Sequence, residues 1–205
     1  MSGTLSFLGL PMLVTVILAG ILSYFGNHIL HRGLVFIDIA VGQIAALGTM
    51  IGILIGFAEN SAEAQLSSYI FTIIVLGIFS VMKVRNQLLP QEAIIGIFYC
   101  LALGMALLLA EKIPGGSNYI TKTITGNVLW VTWKTIINTI LILAPVVIIQ
   151  FIFGRGFRQI TESKGTGESE VNGHTRILEF IFYLTFGIVI VRAIPVMGVF
   201  LVFIL

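Results

Sequence analysis

The chain alternates between long apolar runs and short polar segments, and one apolar run is distinguished by small and polar residues. It reads LVFIDIAVGQIAALGTMIGILIGF, from Leu34 to Phe57. About 20 apolar residues are enough for a helix to cross a bilayer. Residues at intervals of three or four positions from Asp38 lie on one face of such a helix, and nearly all of them are small. We therefore predict a membrane helix with a tightly packed face that carries an acid: Asp38, Gly42, Ala45, Thr49, Gly52 and Gly56.

The small residues of this run also follow the GxxxG pattern, which lets membrane helices approach backbone to backbone. Gly48, Gly52 and Gly56 form two overlapping GxxxG steps. A later apolar run repeats the arrangement, with an acid followed by small residues at intervals of four. We predict helix packing through both faces, the second of which comprises Glu92, Gly96, Cys100 and Gly104.

Six apolar runs are long enough to span a membrane, so the predicted fold class is all-α, a polytopic transmembrane helical bundle. The last run contains Arg192, Pro195 and Gly198, which predicts a helix, a break and a second half-helix. It ends at Leu205 without a polar tail, and we expect the chain to be incomplete at its C-terminus. A short interfacial helix is predicted within 118–125. The spans are about Leu5–Leu30, Leu34–Phe57, Tyr69–Val84, Gln91–Ala110, Leu129–Phe153 with a kink at Pro145, and 177–205.

Composition supports a membrane protein and excludes several other classes. The chain is 58% hydrophobic and 10% charged, with a mean hydropathy of +1.08, far from the values of a soluble domain. A net charge of +2 without any basic run gives no reason to expect nucleic acid. The single Cys100 excludes an intrachain disulfide. The chain lacks GxxxxGK[ST], so active transport would draw on a partner subunit or an ion gradient.

Basic residues alternate between loops and predict an orientation, because cytoplasmic loops are enriched in Lys and Arg. They are concentrated in the first, third and fifth loops, whereas the fourth loop is mixed, with Glu111, Lys112 and Lys122. This distribution places the odd loops in the cytoplasm and the N-terminus outside. Lys134, at the outer end of the fifth span, is the exception. The fifth loop, 154–176, is either a docking surface for a soluble partner or a plain connector. The basic residues of the first, third and fifth loops are Arg32, Lys83, Arg85, Arg155, Arg158, Lys164 and Arg176.

Two acids are the main candidates for chemistry. Asp38 and Glu92 lie near the cytoplasmic starts of parallel spans, and an acid inside a membrane helix is costly enough to suggest a function. Alternatively, each acid simply stabilises the N-terminus of its helix.

Four other polar residues are weaker candidates. His28 and His31 share a helix face and suit either a metal or an interfacial charge-setting role. Arg192 either pairs with Glu179, lines a cavity or extends to the outer interface. Gln43 is expected to bind neighbouring helices together.

Four stretches in the same order resemble the permease of metal-ion ABC importers, the family that takes up zinc, manganese or iron. These stretches are HILHRGLVFIDIAVGQIAALG (28–48), QEAIIGIFYCLALGMALLL (91–109), TGNVLWVTW (125–133) and FYLTFGIVIVRAIPVMGVFLVF (182–203).

The resemblance implies a single permease domain over 1–205, without its own ATPase site, in a bacterial-type plasma membrane. It implies a homodimer, a cytoplasmic ATP-binding subunit that uses the ATP, and an extracytoplasmic metal-binding protein; the chain itself binds no cofactor. Similar permeases place acids at positions that match Asp38, allowing a one-residue shift, and Glu92. Where the family has histidine, this chain has Gln43 or Gly42, depending on the alignment. The loop 154–176 lacks the short acidic coupling segment common in such permeases.

Asp38, Glu92 and Gln43 are thereby candidate residues of a transient metal pathway, in which the two permease halves would rock between inward and outward access. Four alternatives stay open at this point. They are an iron-chelate or cobalamin-type permease, an ion-gradient-driven secondary transporter, an intramembrane enzyme using His28, His31 and Asp38, and a structural membrane subunit.

Overall fold

The computed structural model describes residues 2–59, 61–81, 91–165 and 173–204, and every regular element in these ranges is helical. Seven α-helices follow one another with a single 3-10 turn before the sixth. The predicted turn at Pro90, with Lys83 and Arg85, lies outside the described residues. The helices are α1 Ser2–His31, α2 Ile37–Ile55, α3 Ala62–Val81, α4 Gln91–Lys112, α5 Gly116–Thr125, α6 Trp133–Gly165 and α7 Gly173–Ile204, and the turn is Val128–Trp130.

Six of these helices are long and apolar enough to cross a membrane, which confirms the predicted helical bundle. In α2 and α7, 67% of the membrane-span residues are buried, against 17–33% in the other four. These two helices therefore form the centre of the bundle, and α1, α3, α4 and α6 surround them. The short α5, Gly116–Thr125, covers the segment predicted to be a short helix, and its position at the membrane interface stays a prediction.

The contact between α2 and α3 depends on small residues. A Cβ atom added to Gly48 would lie 2.9 Å from the Phe71 Cβ, and one added to Gly52 would lie 3.0 Å from the Ser67 Cβ. The hydroxyls of Ser67 and Ser68 donate to the carbonyls of Gly48 and Ala45, at 2.8 and 2.7 Å. Close backbone approach and these interhelical hydrogen bonds together fix α3 on α2.

The other three glycines singled out for packing make no such contact in the described part of the chain. Gly56 ends α2 with a left-handed φ of 114°, and its amide returns to the Ile53 carbonyl at 3.0 Å. Around Gly56, Gly96 and Gly104, nothing lies within 4 Å of an added Cβ. Helix termination, not close packing, accounts for the glycine at position 56.

The third span starts earlier than the hydropathy pattern suggests. The segment Glu59–Ser68 reads as a polar patch, yet α3 begins at Ala62. The Ser61 hydroxyl accepts the Ala64 amide at 3.1 Å and so caps the helix. The hydroxyls of Ser67 and Ser68 are hydrogen-bonded to α2 carbonyls, as described above.

The sixth helix also differs from the predicted bounds. It begins at Trp133 and continues through Pro145 to Gly165, so the first part of the loop predicted at 154–176 is helical. Residues 166–172 lie outside the described ranges.

The predicted break in the last span is located at Gly198. This residue has φ 78° and ψ 160°, while α7 is helical on both sides of it. The end of α5 packs directly on this break. The Asn127 amide donates to the Val196 carbonyl at 3.0 Å, and an added Cβ on Gly198 would lie 2.5 Å from the Gly126 nitrogen. Backbone therefore meets backbone at this junction, which only glycine permits at both positions.

Candidate functional site

The two candidate acids lie at the same end of the bundle, which we call the Arg32 end. Asp38 is in the first turn of α2, and Glu92 is in the first turn of α4. The Glu92 Oε1 accepts the Val35 amide at 2.9 Å. Val35 precedes Asp38 by three residues, so this hydrogen bond joins the first turn of α4 to the segment just before α2.

Asp38 lies closer to the helix end than its position in the apolar run suggests. Because α2 starts at Ile37 and not at Leu34, Asp38 is in the first turn. Its Oδ1 accepts the Ile39 amide at 2.8 Å, and the side chain is partly buried. A carboxylate in this position is stabilised by the helix N-terminus, whatever other function it has.

Gln43 and Gly42, the two positions at which the resemblance implies a histidine, are both inside the bundle. Gln43 is buried, at 8% exposure. Gly42 faces α7, and a Cβ added there would lie 3.0 Å from the Ile194 Cδ1 and 3.4 Å from the Val199 Cγ2. An imidazole at position 42 would therefore require the Ile194 and Val199 side chains to move. Within the described residues, no group of three or more His, Cys, Asp or Glu side chains could hold a metal ion.

The two histidines of α1 do not share a site. His31 is exposed, and its Nδ1 is 2.8 Å from the Asn27 carbonyl oxygen. His28 is buried against aromatic rings, with its ring centre 5.9 Å from that of Phe182. The Arg32 guanidinium lies 3.9 Å from the centre of the same Phe182 ring, a cation–π contact that joins α1 to α7.

The opposite end of the bundle, here called the α5 end, contains a polar cavity of about 370 Å³. Five helices contribute to it, α2, α3, α5, α6 and α7, together with the segments before α3 and after α5. Its lining is mainly hydroxyl, amide and charged side chains. The polar lining residues are Thr49, Glu59, Ser61, Gln65, Ser68, Tyr119, Lys122, Thr123, Asn127, Lys134, Thr135, Asn138 and Arg192.

Arg192 is the buried charge of this cavity, with 8% exposure. Its Nε donates to the Thr139 Oγ1 and its Nη2 to the Thr135 carbonyl, both at 3.0 Å. Of the three readings of Arg192 from the sequence, the structure therefore supports the lining of a cavity. The hydrogen bonds also fix α7 to α6 within the membrane region.

An ion pair joins two segments at the rim of the cavity. The Lys122 Nζ of α5 lies 3.0 Å from the Glu59 Oε1 in the α2–α3 connection, and both side chains are exposed. Tyr119, on the same helix, extends inward, and burial raises the pKa of its phenol above the ordinary value. The phenol is therefore neutral near pH 7, and the charges of the cavity are those of Glu59, Lys122, Lys134 and Arg192.

Part of this cavity has a signal in the sequence. Gln65 and Ser68 are three positions apart, which places them on one face of α3, and Ser61, four positions before Gln65, lies just before the helix. The convergence of α5, α6 and α7 on that face has no local signature, because it depends on tertiary contacts.

A central pair of buried helices, a surrounding ring of candidate membrane spans and a polar cavity at one end define a multi-pass helical membrane protein. The family model described as "ABC 3 transport family" matches residues 4–205. The chain belongs to this family, and its resemblance to the permeases of metal-ion ABC importers is confirmed.

The fold is also similar to a solved structure, "PsaBC from Streptococcus pneumoniae in complex with Fab". The TM-score is 0.66 at 20% sequence identity, and the alignment covers 96% of this chain and 68% of that one. At this identity the likeness concerns the fold alone. No curated protein matches the chain significantly in sequence.

Proposed function

We propose that this chain is the membrane-spanning permease of an ATP-driven importer of divalent metal ions, namely zinc, manganese or iron. The match to the ABC 3 transport family over residues 4–205 supports the proposal. A permease of this type works with a cytoplasmic subunit that binds and hydrolyses ATP and with an extracytoplasmic metal-binding protein. We also propose that it functions as a homodimer in a bacterial-type plasma membrane.

The observation that carries the proposed pathway is the hydrogen bond between Glu92 and the Val35 amide. It brings the first turn of α4 beside the start of α2, so that Glu92 and Asp38 lie at the same end of two adjacent helices. Carboxylate oxygens are suitable ligands for hard and borderline divalent cations. Two such groups in each chain form an incomplete set of ligands, and an ion in transit must be bound weakly enough to leave.

The proposed orientation places the Arg32 end in the cytoplasm. Arg32, Arg155 and Arg158 lie on that side of the bundle, as the positive-inside tendency requires. The two acids would then act near the cytoplasmic exit, where an ion leaves the permease. The α5 end, with its polar cavity, would face the extracytoplasmic binding protein.

Metal uptake in cells tests the role of Asp38. The chain is expressed with its ATP-binding and metal-binding partners in cells that lack other high-affinity uptake, and the entry of radioactive zinc and manganese is measured. Asp38→Asn is expected to abolish uptake while the protein still inserts in the membrane. Glu63→Gln, an exposed acid at the other end of the bundle, is the matched control and should retain uptake. Equal uptake by Asp38→Asn and the control would remove Asp38 from the pathway.

A permease for metal chelates is the second candidate, and the composition of the α5-end cavity favours it. Three cationic side chains and one carboxylate line that cavity, which suits an anionic chelate better than a bare cation. Competition distinguishes the two cargoes. Excess free zinc or manganese should suppress uptake by an importer of ions, whereas excess iron chelate should suppress uptake by an importer of chelates.

A further inference from the structure

The α5-end cavity carries more positive than negative charge. Arg192, Lys122 and Lys134 line it, against the single carboxylate of Glu59. That carboxylate is already paired, because the Lys122 ammonium lies 3.0 Å from it. Arg192 and Lys134 therefore determine the charge that a small ligand meets inside.

Arg192 is held so that its charge stays at the base of the cavity. Its hydrogen bonds in the described part of the chain go to neutral oxygens, the Thr139 hydroxyl and the Thr135 carbonyl. These bonds orient the guanidinium without neutralising it. A buried cation with only neutral partners is costly, and an anion in the adjacent cavity would offset that cost.

The remaining lining adds neutral hydrogen-bonding groups. The Ser61 and Tyr119 hydroxyls and the amide groups of Asn127 and Asn138 surround the space, whereas the Thr49 hydroxyl donates to the Ala45 carbonyl at 3.2 Å. Its volume of about 370 Å³ is at the small end of ligand cavities, which commonly measure about 300–1,000 Å³. A compact ligand with one or more carboxylate or phosphate groups fits both the size and the charge.

We propose that this cavity is a binding site for a small oxyanion, a carboxylate or a phosphate, held by Arg192 and Lys134. The site lies at the opposite end of the bundle from Asp38 and Glu92 and does not depend on the role proposed for these acids. A divalent cation is the wrong ligand for it, because the one carboxylate present is engaged by Lys122.

Calorimetry on the full chain in phosphatidylcholine nanodiscs tests the site, with inorganic phosphate and citrate as separate probes at low ionic strength. Lys134→Gln is the main variant, since Lys134 is exposed at the rim and its replacement leaves the core intact. Loss of one charge-assisted contact should weaken binding about tenfold. Lys134→Glu should abolish binding. Lys112→Gln is the matched control, an exposed lysine at the same end that does not line the cavity.

The two probes and the choice of lipid identify the source of the oxyanion. Tighter binding of citrate points to a carboxylate ligand, and tighter binding of phosphate points to a phosphate ligand. If phosphatidylglycerol in the nanodisc weakens phosphate binding to the parent chain and to Lys112→Gln alike, the oxyanion is a lipid headgroup. The proposal is overturned if neither probe binds the parent chain, if Lys134→Gln and Lys134→Glu bind as the control does, or if manganese binds the cavity and Glu59→Gln removes that binding.

Discussion

The junction between the end of α5 and the break in α7 offers a sharp test of the fold. We predict that Gly198→Ala destabilises the protein. Gly198 has φ 78° and ψ 160°, a region of backbone conformation that is essentially restricted to glycine and costs other residues about 1–3 kcal/mol. The added Cβ would also lie 2.5 Å from the Gly126 nitrogen and 2.5 Å from the Ile124 carbonyl oxygen.

The steric part of this cost is difficult to relieve, because the atoms that the new methyl group meets belong to the backbone. The α5 terminus must move away, and the hydrogen bond from the Asn127 amide to the Val196 carbonyl would be lost. A lost hydrogen bond adds about 1 kcal/mol. Together with the backbone strain, we expect a destabilisation of about 2–4 kcal/mol.

Thermal unfolding in nanodiscs, followed by tryptophan fluorescence, measures the effect. Trp130 and Trp133 lie shortly after α5 and report on the region directly. Gly9→Ala in α1 is the matched control, because nothing lies within 4 Å of its added Cβ and its backbone is helical. A melting temperature for Gly198→Ala equal to that of the control would refute the backbone-to-backbone junction.

Three further substitutions test other contacts. Gly48→Val should lower stability by about 1–3 kcal/mol, as expected for overpacking against α3, and a thermal melt measures this. Glu92→Ala should cost about 1 kcal/mol through loss of the Val35 amide bond, and faster hydrogen exchange at that amide would demonstrate the cause. Glu59→Gln should change stability by less than about 1 kcal/mol, because its ion pair with Lys122 is exposed, and a larger loss of melting temperature would contradict that assignment.

The membrane spans could be predicted from the sequence because burial in lipid imposes a local requirement on every span. Each span needs a long apolar run, and each such run became a helix. The break in α7 was also predictable, since Pro195 and Gly198 lie close together in the last apolar run, and the structure places the non-helical residue at Gly198. Hydropathy fails at the start of α3, where Ser67 and Ser68 are polar but bond to α2 carbonyls inside the bundle.

The candidate site was only partly predictable. The hydropathy pattern indicates that Asp38 and Glu92 are unusual, because each is an acid within or beside an apolar run. It does not give their distance from the helix ends, which depends on the residue at which α2 and α4 start. In the structure, Asp38 lies in the first turn of α2. The cavity at the α5 end depends on contacts between distant parts of the chain. Arg192 and Thr139 are 53 positions apart, and their hydrogen bond has no trace in local spacing.

Reconstituted transport tests the proposed function most directly. The chain is assembled in proteoliposomes with its ATP-binding partner and its metal-binding protein, and the accumulation of zinc and manganese is followed with and without ATP. We predict ATP-dependent accumulation of at least one ion by the parent chain and by Glu63→Gln, and none by Asp38→Asn. Accumulation that needs no ATP, or that persists at the parent rate in Asp38→Asn, would contradict the account.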